Sequence, residues 1–138
     1  VNIKLIVFGK PNSEMTNIIE PLLKKENIIY LEWINSKSLY KYFFASDLAV
    51  FPGTHLVLWE EAVGLGIPCI FKKWEGILHL DLGGNCIFLE DTTESGILNA
   101  LNVILKDNYL LNELKLKAEM LGPEFFSYSK IAKKSING

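Results

Sequence analysis

Five short runs in this chain are dominated by apolar residues: Val1–Phe8, Asn27–Leu31, Leu48–Phe51, Pro68–Phe71 and Cys86–Leu89. A strand with one wet face alternates polar and apolar residues. A run that is apolar almost throughout has to bury both faces, which is the condition of a parallel sheet covered on two sides. The segments between the runs supply the covers. Met15, Ile18, Ile19, Leu22 and Leu23 recur at helical spacing, with Ser13 as a candidate N-cap and Pro21 expected to kink the helix or restart it. Asn35 and Ser36 precede a short helix with Leu39, Tyr42, Phe43 and Ser46 on one face. Thr54 is placed to cap a helix over His55–Leu65, and Gly66 stands just past its end. Further helices are expected over Glu94–Lys106, over Asn108–Leu121 and from Ser127 onward. The expectation is one α/β domain over residues 1–138: a Rossmann-like parallel sheet of about five strands with helices on both faces.

Composition narrows the function classes. The chain has 138 residues, of which 49% are hydrophobic and 22% charged, so it can bury a core of ordinary size. The formal charge is −2, which excludes nucleic acid held mainly by charge. All the basic residues except the two histidines are lysines. Without arginine there is no forked guanidinium, so a phosphate would have to be held by Lys, backbone N–H groups or a helix start. Apolar runs fall short of the roughly 18–20 residues of a membrane span, and Asp47 interrupts the most apolar window. The opening residues read as a strand rather than a signal peptide, and a start on Val1 suits a piece of a longer protein. Cys69 and Cys86 both lie in apolar surroundings and read as reduced core thiols of a cytoplasmic protein. The histidines do not complete a metal-ligand spacing, so no metal is expected.

In a sheet of this kind function gathers in the loops after the carboxyl ends of the strands. Five places follow: Gly9–Asn12, Trp33–Ser36, Pro52–His55, Lys72–Gly84 and Glu90–Thr93. Pro52–His55 leads from a strand into a helix, where free N–H groups favour an anion and Gly53 lets a ligand approach the backbone. A plain strand-to-helix turn would have the same residues. Glu61, near the edge of the Leu58, Ala62 and Leu65 stripe, is placed to accept from two neighbouring hydroxyls, or simply to be solvated. Lys73, Trp74, Glu75 and Gly76 open the longest loop with a cation, an aromatic plane, a carboxylate and a flexible hinge, a set suited to sugar or phosphate. Gly9 and Lys10 form a weak phosphate turn. The glycine patterns of dinucleotide and P-loop sites are absent, and His55 and His79 have no nucleophile in a recognisable pattern.

The stretch Glu61-Ala62-Val63-Gly64-Leu65-Gly66-Ile67-Pro68-Cys69-Ile70 resembles the E-A-x-x-x-G-x-P-V-[IV] segment of retaining glycosyltransferases of family 4, group 1, which have the GT-B architecture. Flanking pieces agree in order. Val7-Phe8-Gly9 is similar to the family's first strand and glycine, and Ile28–Trp33 to its next strand. Leu39–Pro52 is similar to the segment ending in its "a-D-v-x-v-x-P", and Phe126–Ala132 to the start of its last helix. The resemblance implies a carboxyl-terminal, donor-binding half that begins one βα unit late, lacking the amino-terminal acceptor domain. Its Glu61 would hold the ribose of a UDP- or GDP-sugar. Gly53, Thr54 and His55 would meet the diphosphate and sugar, and Trp33, Ile34 and Asn35 the nucleobase. The region from Gly76 to Gly84 would lie next to the donor. The family needs no metal and no further cofactor. Its partners would be an acceptor glycan or glycolipid, with the full enzyme in the cytoplasm, peripherally at the inner face of the membrane. One departure stands out: Gly53 occupies the position of the first Glu of the family's E-x7-E motif, in a shortened loop where His55 or Thr54 would substitute. A sugar-nucleotide epimerase of the same architecture and a non-catalytic protein-binding module are the alternatives.

Overall fold

The computed structural model describes residues 2–137; within the last helix nothing is said of the side chains of residues 128, 130, 131, 134 and 137. The similarity seen at Phe126–Ala132 therefore lies partly outside the described side chains. The chain divides into two compact units, Val1–Lys41 and Tyr42–Gly138.

In the first unit β1 (Leu5–Phe8) and β2 (Ile28–Leu31) pair in parallel, Leu5 opposite Ile28 and Phe8 opposite Leu31. The helix α1 (Ser13–Leu23) connects them and packs on β2. Its cap is Asn12 rather than Ser13: the Asn12 side chain accepts from the Met15 amide at 2.9 Å, and Ser13 is already helical. Pro21 lies inside α1 without ending it. Gly9, at φ +117, turns the chain after β1, and its carbonyl accepts from the Tyr30 hydroxyl at 2.8 Å. The helix α2 (Ser36–Phe44) starts at Asn35, whose side chain accepts from the Ser38 amide at 2.9 Å.

The second unit holds β3 (Ala49–Phe51), β4 (Cys69–Lys72) and β5 (Cys86–Leu89), parallel and in the order β3-β4-β5. Register assigns each residue to a face. Val50, Ile70 and Ile87 are neighbours across the strands, as are Phe51, Phe71 and Phe88. The first row, with Leu89, meets α4 (Glu94–Lys106) and the first half of α5 (Asn108–Phe126) through Ile104 and Leu114. The second row is covered by Trp59 of α3 (Leu58–Gly64), whose ring stacks on Phe71 at 4.8 Å between centroids. Phe71 in turn lies 5.5 Å from Phe51 and 6.2 Å from Phe88. The last helix is α6 (Tyr128–Asn137).

The class is thus α/β, with five strands among the described residues, as the apolar runs predict, in two sheets of two and three strands, each parallel within itself. Periodicity marks where strands lie and carries no information on which of them share hydrogen bonds. The second half of α5 crosses α3 at close range: a Cβ added to Gly122 would stand 1.8 Å from the Val63 carbonyl oxygen. Side chains of any size at that crossing would force the helices apart.

Candidate functional site

The loops after β3, β4 and β5 differ from expectation first at α3. The helix begins at Leu58, three residues later than the Thr54 cap predicts, and its N-cap Val57 makes no side-chain bond. The cause is its packing phase. Trp59, Ala62 and Val63 are the buried stripe, not Leu58, Ala62 and Leu65, and seating the indole on Phe71 sets the rotation of the helix. Thr54 lies in a bend and His55 in irregular chain, both ahead of the helix start. The first turn of this seven-residue helix carries Glu60 and Glu61, whose charge opposes an anion there. The anion cradle expected at Thr54-His55 is therefore not formed by helix N–H groups.

The same rotation creates a cluster that the sequence does not announce. Glu60 Oε1 lies 2.8 Å from His55 Nε2 and 3.2 Å from His79 Nε2. His79 belongs to a 3-10 turn, Ile77–Leu80, inside the loop between β4 and β5, and its Nδ1 lies 3.0 Å from the Gly76 carbonyl oxygen. The His55 ring meets Trp59 edge-on at 5.2 Å, and Phe126 stands 6.4 Å from the His79 ring. The second carboxylate oxygen, Glu60 Oε2, is buried without a hydrogen-bond partner. Among the described residues no group of His, Cys, Asp or Glu is arranged to hold a metal ion. Glu61, the residue singled out by the sequence, is half-buried on α3 next to this cluster in the chain.

Lys73, Trp74, Glu75 and Gly76 do come together. With Leu78 and Glu90 they line a groove of about 410 Å³ beyond the ends of β4 and β5. Lys73 pairs with Glu90, and the Lys72 ammonium sits over the Trp74 ring, 4.3 Å from its centroid. The rest of this loop is closed by Asn85, a fully buried polar residue. Its amide donates to the Leu80 carbonyl at 2.9 Å and accepts from the Leu82 N–H at 2.6 Å. Asp81 accepts from the Gly83 and Gly84 amides, 3.0 Å each. After β5, the Thr93 N–H and hydroxyl both donate to the Asp91 carboxylate and hold its pKa below the ordinary carboxylate value.

The remaining sequence candidates belong to the first unit. Gly9 and Lys10 follow β1, and Trp33, Ile34 and Asn35 follow β2; Trp33 is 80% exposed, and Asn35 serves as the α2 cap. Cys69 and Cys86 are free and buried, opposite each other across β4 and β5. Burial pushes the Cys69 thiol up, with Cys86 adding to it; burial, then Asp81, pushes Cys86 up to about 12. Neither thiol has the lowered pKa of a nucleophile. No helix among the described residues is long and apolar enough to cross a membrane.

No protein-family model matches this chain, and no curated protein matches it by sequence. Solved structures do. The chain is similar to a sucrose-phosphate synthase from Thermosynechococcus elongatus at 19% identity, with a TM-score of 0.71 over 99% of this chain and 37% of that one. It is also similar to a protein from Listeria monocytogenes described as a UDP-N-acetylglucosamine 2-epimerase. There the identity is 14% and the TM-score 0.66, over 95% of this chain and 44% of that one. The chain thus spans less than half the length of either protein. The α/β fold is that of one half of a GT-B-like architecture.

Proposed function

We propose that this chain is the nucleotide-sugar donor-binding half of a retaining GT-B glycosyltransferase that builds a surface polysaccharide or glycolipid. What supports the reading is a coincidence of two kinds of likeness. The segment Glu61–Ile70, which carries the sequence resemblance, forms the α3–β4 connection of a fold shared along 99% of the chain with a sucrose-phosphate synthase. In this reading Glu61 accepts hydrogen bonds from the two ribose hydroxyls of a UDP- or GDP-sugar. Gly53, Thr54 and His55 approach the diphosphate and the donor sugar. Lys73, Trp74, Glu75 and Gly76 contact the sugar from the groove after β4. Gly9, Lys10, Trp33, Ile34 and Asn35 are the residues this reading assigns to the nucleotide. An amino-terminal domain supplies the acceptor site, and the chain alone does not turn over. No metal or further cofactor enters the scheme.

Calorimetric titration with UDP, GDP and their sugars tests this. The expected result is saturable binding that Glu61→Ala weakens about tenfold or more, the loss of two hydrogen bonds to a charged acceptor. Absence of binding at millimolar concentration favours a protein-interaction module instead. Turnover by the purified chain at the rate of a complete enzyme would contradict the half-enzyme reading. A second reading, a sugar-nucleotide epimerase, is favoured by the Listeria likeness and by the two imidazoles on Glu60, which give this fold acid/base groups. Incubation with UDP-sugar followed by sugar analysis distinguishes an epimerised donor from an unchanged one.

A further inference from the structure

The hydrogen bonds around Glu60 need one proton more than their groups carry when the imidazoles are neutral and the carboxylate is ionised. The Gly76 carbonyl can only accept, so His79 Nδ1 must be protonated to bond to it at 3.0 Å. His79 Nε2 then faces Glu60 Oε1 at 3.2 Å, and the same oxygen receives His55 Nε2 at 2.8 Å. Three contacts each take a proton, and two neutral imidazoles bring two. A third would sit on either His79 Nε2 or Glu60 Oε1, in both cases between the same two atoms. The second carboxylate oxygen, Glu60 Oε2, is buried without a hydrogen-bond partner, so Oε1 alone carries the carboxylate's contacts to the two imidazoles.

We propose that His55, Glu60 and His79 form a proton-operated clamp: one proton taken from water ties the loop after β3 to the 3-10 turn between β4 and β5. Its release leaves His79 Nε2 and Glu60 Oε1 as two acceptors facing each other, and the His79 side of the tie opens. Other carboxylates on the packed elements are Glu61 on α3, Glu75 and Asp81 on either side of the 3-10 turn, and Glu124 near the end of α5; Asp81 accepts from the Gly83 and Gly84 amides. The nearby cations are turned away, Lys72 over Trp74 and Lys73 onto Glu90. The clamp stands independently of what the groove binds. It would make the spacing of the two loops, and hence any site they border, depend on pH.

The two histidines are the only ones in the chain, so imidazole NMR spectra of the full chain can be followed without overlap. In the wild type, amide exchange of residues 53–57 and 77–80, corrected for its intrinsic pH dependence, should accelerate about tenfold in one step as pH rises through the range of about 5–8 where imidazoles titrate, the loss of one charge-assisted hydrogen bond. The His79 nitrogen shifts should change in the same step. Glu60→Gln is the decisive variant. Its NH2 group can stand where Oε1 stands and donate to the lone pairs of two neutral imidazoles, so no extra proton is needed. That variant should keep both loops protected and lose the step. Glu60→Ala should leave the loops unprotected at every pH, and circular dichroism establishes that both variants are folded. If Glu60→Ala does not fold, the Gln variant alone decides. A flat wild-type profile, or a wild-type step that persists in Glu60→Gln, overturns the proposal.

Discussion

In the first unit the helix between the two strands, α1, has no buried residue; in the second, three strands have helices on both faces, and Trp59, Ile70 and Phe71 are closed off from solvent. The difference does not come from the apolar content of the parts. Ile18 and Leu22 of α1 stand at helical spacing just as Ile97, Leu101 and Ile104 of α4 do. Yet Ile18 is 63% exposed and Ile104 is fully buried. An amphipathic stripe offers burial, and only a second layer of structure realises it. Stability in this chain should therefore be concentrated in the second unit.

The sharpest way to break that comparison is a matched pair of truncations. Ile70→Ala, at a fully buried position, should lower unfolding free energy by about 4 kcal/mol, while Ile18→Ala should change it by less than about 0.5 kcal/mol. Urea titrations followed by fluorescence measure both, and equal losses would show that the units share one core. Next comes Gly122→Ala. The new methyl would overlap the Val63 carbonyl, and the expected loss is about 3 kcal/mol, seen as a lower melting temperature. Amide exchange in β1 and β2 should stay as in the wild type if the units are energetically separate.

The smallest effect is a pH dependence of the second unit. The thiols of Cys69 and Cys86 are raised in the folded chain, so above the ordinary value of 9.0 the unfolded chain gives up thiol protons that the folded chain retains. This stabilisation is complete below pH 9 and is lost as pH climbs toward the folded value, about 12 for Cys86. Each thiol contributes a slope of at most about 1.4 kcal/mol per pH unit. Comparing urea midpoints at pH 8 and pH 10 for the wild type and Cys86→Ala isolates it: the variant should lose less stability between the two. The same burial should keep both thiols slow to alkylate until the chain unfolds.

Strands and helices that owe their existence to local pattern were legible residue by residue. β5 and α4 have the ends that Cys86–Leu89 and Glu94–Lys106 predict, because an apolar run and a Thr93 cap decide them locally. The phase of α3 was not legible. Its apolar residues Leu58, Trp59, Ala62, Val63 and Leu65 allow two stripes about one residue apart, and contact with Phe71 across the sheet selects the one containing Trp59. That choice moved the helix start away from Thr54 and turned Glu60 toward the histidines. The cluster itself joins residues 19 positions apart through a 3-10 turn that carries no sequence signature. The available clue was that both histidines follow neighbouring strands, with a carboxylate on the helix between them. Gathering Lys73 to Gly76 into one groove was easier to foresee, since the four are consecutive.

The register that places Phe51, Phe71 and Phe88 side by side at the ends of the three strands has a practical consequence. These rings form a rigid aromatic floor, held from beneath by the sheet and clasped by Trp59. The cover of this floor is Trp59 of α3, not a loop. The exposed stretches 52–57 and 73–76 can therefore vary in chemistry while the sheet keeps its register, whereas Ile77, buried in the 3-10 turn, has to stay apolar.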